Sequence, residues 1–323
     1  MPSTDNNNDV RSRVMERVAS PEIHLSAADS ARQPSPSLLR QLRRYPPVDY
    51  RRYLRFVVGD QHVGWVRCDF APHLADFPTT FVLNADDVAL HPALVGADER
   101  SEAMATVLAE LRSRGLVPGW RDELYPVGRG FDRPCLMRME RAATPLFGVL
   151  SYGVNVNGLV QRDDGLHVWI GRRAPHKQVD PNMLDLLAGG GQPHGIGVAD
   201  NLVKECWEEA GVPAPLARMA RPVSVISVQI EAPEGLRVGL QFNYDLFLPP
   251  DFLPRNTDGE VAEFRLMPVS EVMARLRTAD DFMYDIALAK IDLLIRHGLI
   301  GPEEPDYLAL LAGLRRPIAF DVT

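Results

Sequence analysis

The 323-residue chain predicts an α+β fold: a mixed sheet with helices packed on it, preceded by a smaller N-terminal α+β domain. Two observations predict it. From about residue 145 onward the order runs strands, helix, strands, helix. Ahead of that, two short extended runs lead into one helical stretch and then two more extended segments. No fixed-period repeat is present.

Residues 1–35 are rich in Asn, Ser, Asp and Pro without a sustained period, which predicts a disordered tail. Residues 36–145 form the first domain. "RYLRFVVGDQHVGWVRCDF" reads as two strands turning at Gly59-Asp60. Met104, Val107, Leu108 and Leu111 have helical spacing, and Gly115 suits the stop. "WRDELYPVG" and "PCLMRMERAA" are extended. Trp65 and Trp120 are expected in this core.

Residues 146–300 form the second domain, and 301–323 a C-terminal extension. "FGVLSYGVNVNGLVQR" and "GLHVWIGRR" are strands joined at Asp163-Asp164-Gly165. "NMLDLLAGGGQPHG" is a glycine-rich connector. "VADNLVKECWEEAG" is a helix that Asp200 is placed to cap and Gly211 to end. "PVSVISVQIEAP" and "LRVGLQFNYDLFLP" pair as a hairpin. "EVAEFRLMPVSEV" leads from strand to helix, and "FMYDIALAKIDLLIRHGLI" is an amphipathic helix.

Composition excludes several classes. A net charge of −8 argues against a nucleic-acid or membrane-surface binder. No apolar run reaches the roughly 18 residues of a membrane span. The N-terminus has no apolar signal segment. Three scattered cysteines, Cys68, Cys135 and Cys206, make no disulfide or zinc pattern, so a reducing, cytoplasmic setting is expected.

The chemistry concentrates in "AGGGQPHGIGVADNLVKECWEEAGVP". At about 100° per residue, Glu205, Glu208 and Glu209 share one helix stripe with Asn201. Ala199, Leu202, Val203, Cys206 and Ala210 share the other, with Trp207 turned from the acids toward packing. Like charges three and four residues apart repel, and each such pair costs a few tenths of a kcal/mol, on the order of 0.2–0.5. A divalent cation reverses that sign. An acidic helix face is ordinarily just solvated, but here Gly189, Gly190 and Gly191 precede it and allow close backbone approach.

This stretch resembles the Nudix hydrolase signature, G-x5-E-x7-R-E-U-x-E-E-x-G-U, where U is bulky and aliphatic. Gly190, Glu205, Glu208, Glu209, Gly211 and Val212 match, with Cys206 at the first U position. Ile196 stands where the early Glu is usual, and Lys204 where the Arg is. "YGVNVNG", "VWIGRRAPHKQVDPNMLD", "GGGQPHG", "NYDL" and "DGEVAEF" extend the likeness to one subfamily, often labelled thiamine-pyrophosphokinase-related, with its own N-terminal domain. "VGWVRCDF" and "WRDELYPV" match that domain.

The resemblance implies the α/β/α Nudix sandwich and Mg²⁺-dependent hydrolysis, with Mn²⁺ as a substitute. It implies thiamine diphosphate, or its oxo and oxy analogues, as the small-molecule substrate, cleaved to monophosphate plus phosphate. Metal-binding falls to Glu205, Glu208, Glu209 and Glu260, and catalysis to Glu208 and Glu260. Arg172, Arg173, Lys177 and Gly190 are the substrate-binding candidates. Glu263 is a weaker substitute for Glu260. Core packing is the simpler reading of Trp169, and a structural or exposed place that of His194. Asp245, Asn155 and Asn157 are open between strand and pocket roles. Two other functions stay open: a pyrophosphohydrolase of the NADH or ADP-ribose type, and a non-catalytic ligand-binding module, for which Ile196 and Lys204 speak.

Overall fold

The alternating run Tyr53–Val58 (β1) turns at Gly59 and returns as Gln61–Arg67 (β2), as expected. With Phe81–Leu83 (β3) and Asp87–Leu90 (β4) they make a four-stranded sheet in the order β2-β1-β4-β3. The Ala97–Ser113 helix buries Met104, Val107, Leu108 and Leu111. Leu124–Val127 (β5) and Met137–Glu140 (β6) pair as a separate antiparallel ribbon. These elements share one core, drawn from residues between Phe56 and Val149. Trp120 is half-buried at its margin, and Trp65 is half-buried against a different cluster, that of Tyr53, Leu150 and Tyr152. The computed structural model describes residues 37–177, 179–318 and 320, so the expected tail, 1–35, lies outside them.

The second sheet is mixed. Its strands are Leu150–Arg162 (β7), Gly165–Arg173 (β8), Leu184–Asp185 (β9), Ala188–Gly191 (β10), Arg221–Ala232 (β11), Gly235–Phe247 (β12) and Val261–Pro268 (β13). The main path is β11-β12-β7-β8-β13, with only β12 and β7 parallel along it. The thirteen-residue β7 organises the rest. Its far end pairs with β8 and its near end with β10, on the same edge. The glycine-rich connector is therefore a correction: it contains β9 and β10, because glycines between sheet neighbours still complete backbone ladders.

Alternate residues of β7 serve opposite faces. Val156 and Val160 pack with Leu202, Cys206 and Ala210 of the Val198–Ala210 helix. Leu159 packs with the helices Val269–Thr278 and Tyr284–Arg296. The second of these has the expected amphipathic pattern but not the solvated face that usually goes with it. It is buried nearly all round, with Lys290 and Asp292 inside, because the Tyr307–Leu314 helix and the Leu39–Leu42 turn cover its outer side.

Candidate active site

Gly197 is extended and starts the Val198–Ala210 helix, so Asp200 is not its cap. Asp200 lies in the first turn, where the helix dipole favours an acid, and pairs with Arg218 at 3.2 Å. The other end is as expected. Gly211 takes φ 62°, and the N–H groups of Gly211 and Val212 bond the carbonyls of Trp207 and Cys206. Leu202, Cys206 and Ala210 are buried, while Ala199 is exposed and Trp207 keeps 55% of its surface in water. The sheet covers the Leu202–Cys206–Ala210 line but does not reach Trp207, which lies about 100° round from Cys206. Burial pushes the Cys206 thiol up to about 12, so it is an inert packing group.

The acid stripe is not a solvated face. Side-chain exposure is 13% at Glu205 and 39% at Glu208. A Cβ on Gly190 would stand 2.4 Å from the Glu205 carboxyl carbon, so only glycine lets that carboxylate lie on β10. Glu209 accepts the Gly189 N–H at 2.8 Å. Burial, with the charges of Asp185, Glu205 and Glu260, raises its carboxyl well above the usual range despite that hydrogen bond. Burial also raises Glu205, and Glu208 adds to it, while Lys204 and Arg141 pull it back.

Cations meet this charge from two sides. Lys204 lies 3.2 Å from Glu205 and 2.8 Å from Glu208. Lys177 contacts Glu260, and that contact with Arg173 and Arg121 brings Glu260 below its ordinary value against the penalty of burial. Arg173 holds Asp185 at 2.9 Å and bonds the Val179 carbonyl, which ties down the loop between β8 and β9. Arg172 is engaged elsewhere, with Glu263 at 2.7 Å and the Asn182 carbonyl. The structure thus gathers Glu205, Glu208, Glu209, Glu260, Gly190, Arg173 and Lys177 into one cluster and leaves Arg172 and Glu263 paired with each other.

Among the described residues, no three His, Cys, Asp or Glu side chains already enclose a point where a metal ion fits. The donor chemistry nevertheless suits a hard divalent cation. The groups are carboxylates, and Glu209 is pressed by three others with only one backbone N–H to offset them. Lys204, 42% exposed on a flexible stem, holds part of the space and is free to swing out.

Three contributors were not singled out in the sequence. Asp185 adds a fifth carboxylate. Tyr125 crosses from β5 so closely that a Cβ on Gly191 would be 1.4 Å from its hydroxyl. Arg141 stacks over the Tyr125 ring at 5.5 Å and pairs with Glu123. Only Asp185, five residues before the Gly190 of the glycine run, carried a local hint.

Asp245, Asn155 and Asn157 belong to neither an edge nor this carboxylate cluster. Parallel pairing sets Asn155 beside Asn243 and Asn157 beside Asp245, bonded side chain to side chain at 3.0 Å. Lys290 donates to Asn157 at 2.9 Å, and Arg296 and His297 close on Asp245. Trp169 is buried as expected, though its Nε1 lacks a partner.

Residues 37–151 match a family model described as "Domain of unknown function (DUF4743)". The chain is 43% identical over 265 residues to Nudix hydrolase 24, chloroplastic, of Arabidopsis thaliana, spanning 81% of this chain and 73% of that protein. It is 40% identical over 272 residues to Nudix hydrolase 20, chloroplastic, of the same plant, with the same coverage of each. A MutT protein from Methanosarcina mazei Go1 aligns with 46% of this chain and 96% of its own, at 14% identity and a TM-score of 0.35. The cytoplasmic expectation is corrected by these relatives, both named chloroplastic. Three free cysteines suit any reducing compartment and do not single out the cytosol. The extent of the two plant matches, on a chain whose glutamate helix lies against its glycine strand, shows the family: this protein is a Nudix hydrolase, an enzyme acting on the acid anhydride of a diphosphate.

Proposed function

We propose that this Nudix hydrolase cleaves thiamine diphosphate, or its oxo and oxy analogues, to the monophosphate and phosphate, using Mg²⁺. The observation that carries the reading is Glu209, a carboxylate buried against Asp185, Glu205 and Glu260 beside the glycine strand. Such a charge has a purpose when a cation joins it. Glu205, Glu208, Glu209 and Glu260 are the residues to hold the ion. When bound, it would neutralise phosphate oxygens and make a water more acidic.

The chain's own groups do the rest. Lys177 and Arg173 stand beside the carboxylates and offer cationic contacts to diphosphate oxygens. Arg172 follows only if it leaves Glu263. Gly190 keeps Glu205 in place. Glu208 and Glu260 are the acceptors for the proton of the attacking water. Water adds at the terminal phosphorus, the bridging P–O bond breaks, and the monophosphate leaves with that oxygen. The division into segments 36–145 and 146–300 is part of this reading, the first supplying Tyr125 and Arg141 to the second.

The test is phosphate release by purified protein with Mg²⁺ from thiamine diphosphate, oxothiamine diphosphate, NADH and ADP-ribose. The nucleotide reactions include a phosphatase that reveals monophosphate products. Turnover of the thiamine compounds that Glu209→Gln abolishes is the expected result. Turnover of the nucleotides alone discards the thiamine assignment and keeps the site. Saturable binding with no turnover of any of them assigns a binding module instead.

A further inference from the structure

A cavity of about 210 Å³ lies beside the glycine strand, walled on one side by residues 126–135 and on the other by residues 192–196. It is smaller than the roughly 300–1,000 Å³ of pockets that enclose a whole drug-sized ligand, so it takes one ring system. Its walls are tied together. The Gln192 N–H bonds the Tyr152 carbonyl at 2.8 Å, and the His194 N–H bonds the Leu124 carbonyl at 2.8 Å.

Two features define what fits. The first is aromatic. Phe131 lines the cavity, keeps 50% of its surface exposed, and meets Tyr152 edge-on with ring centres 5.0 Å apart. Phe242 stands 5.2 Å from Phe131 and parallel to Tyr152, fixing both. The second is polar. Gln192 lines the same cavity at 2% exposure, and its Oε1 has no hydrogen-bond partner. Its amide cannot be turned round, because Nε2 already faces two carbonyls, Ile196 at 2.6 Å and Pro193 at 3.4 Å. The orphan is therefore an acceptor, and a buried acceptor without a donor is costly.

We propose that this cavity is the ring subsite of the enzyme: it takes a heteroaromatic ring bearing an amino or N–H group, which donates to Gln192 Oε1 while Phe131 covers the ring's apolar surface. The inference rests on the diphosphate-hydrolase reading. Gln192 follows Gly191 directly, so a substrate seated here runs its diphosphate back along β10 toward Glu205 and Glu209. Aminopyrimidine and aminopurine share the required chemistry. Ile196, where the signature usually has glutamate, is 39% exposed and forms part of this wall, so its change of type suits a ring pocket.

The experiment measures kcat/KM of the full chain for thiamine diphosphate, ADP-ribose and the ring-free methyl diphosphate. Wild type is compared with Gln192→Leu and with the milder Phe131→Ala. Alongside, calorimetry titrates thiamine and adenosine, which carry the rings without the diphosphate. The expected result is that the ratio of ring-bearing to methyl diphosphate kcat/KM falls about tenfold in Gln192→Leu and less in Phe131→Ala. The substrate whose ratio falls identifies the ring. Equal losses on all substrates, or an unchanged ratio in both variants, overturn the proposal. If wild type hydrolyses nothing, the diphosphatase reading fails by itself. Calorimetry then decides: wild-type binding of thiamine or adenosine that both variants weaken keeps the subsite, and no such binding ends it.

Discussion

Buried charge is gathered on both faces of β7, and the two gatherings are built on opposite terms. On the Tyr284–Arg296 side, the groups close on one another. Asp245 receives Asn157, His297 and both ends of the Arg296 guanidinium, and Asp292 receives Ser224, Arg296 and Arg315. Those partners hold Asp245 below its ordinary value although burial alone would raise it. On the glycine-strand side, five carboxylates, Asp185, Glu205, Glu208, Glu209 and Glu260, have Lys177, Arg173 and Lys204 in contact, and Glu209 has no cation of its own. The same desolvation therefore gives a closed network that holds helix to sheet and an open one, the place proposed for the cation. Pairing, not burial, separates structure from function here.

The largest effects test that separation directly. Glu209→Gln is expected to lower kcat about 10³-fold, as loss of a cation-binding or proton-handling carboxylate does. Its melting temperature should stay level or rise, because a repelled charge is gone. A clear fall in melting temperature would mean that Glu209 belongs with the structural side. Asp245→Ala is the mirror image. It strands Arg296 and His297 and should cost about 3–5 kcal/mol in denaturant unfolding. Unchanged stability would erase the distinction.

Gly190→Ala tests the contact between strand and helix. The added methyl must displace the Glu205 carboxylate, and a shift of about 1 Å costs on the order of 10²-fold in turnover. Steady-state kinetics beside circular dichroism check that the loss is catalytic.

Lys290 tests the closed side by pH. It is fully buried, and burial brings its amine down to about 7 against the pull of Asp185 and Asp245. The folded-state value lies below the ordinary 10.5, so between about 7 and 10.5 the unfolded chain binds more protons. Stability from this group is then gained as pH rises, at no more than about 1.4 kcal/mol per pH unit. It is lost as pH falls through 7. Unfolding curves of wild type and Lys290→Met should diverge with that sign, and parallel curves would place the ammonium in water.

The smallest effect concerns Lys204. Removing it as Lys204→Met should lower the Mg²⁺ concentration for half-maximal activity about two- to fivefold, since a half-exposed ion pair is worth at most about 1 kcal/mol. A higher requirement would make Lys204 a support of the site and not a competitor.

Much of this was legible in residue spacing. The glutamate stripe, the close approach at Gly190 and the left-handed stop at Gly211 are local, and the chain states them within two dozen residues. Partners that come from elsewhere were not legible. Asp185, Tyr125 and Arg141 reach the carboxylates and the glycine strand through strand order, which composition does not encode. Trp207 was misread because a helical wheel knows the direction of a side chain but not how far the sheet extends. The helix that carries Lys290 and Asp292 was read only as amphipathic, since spacing does not tell a polar network from solvent. Gln192 became visible only when both of its amide partners proved to be carbonyls.

The Leu124 carbonyl accepts the N–H of His194, and Tyr125 rests on Gly191, so the early segment is stitched to the loop that launches the glutamate helix. In evolutionary terms this removes modularity. A recombination that moved residues 146–300 onto another chain would carry off the signature and leave behind one wall of its own loop. Its side chains would then answer to a substitution in β5 as readily as to one beside the glutamates. The two segments are accordingly expected to be inherited as one unit.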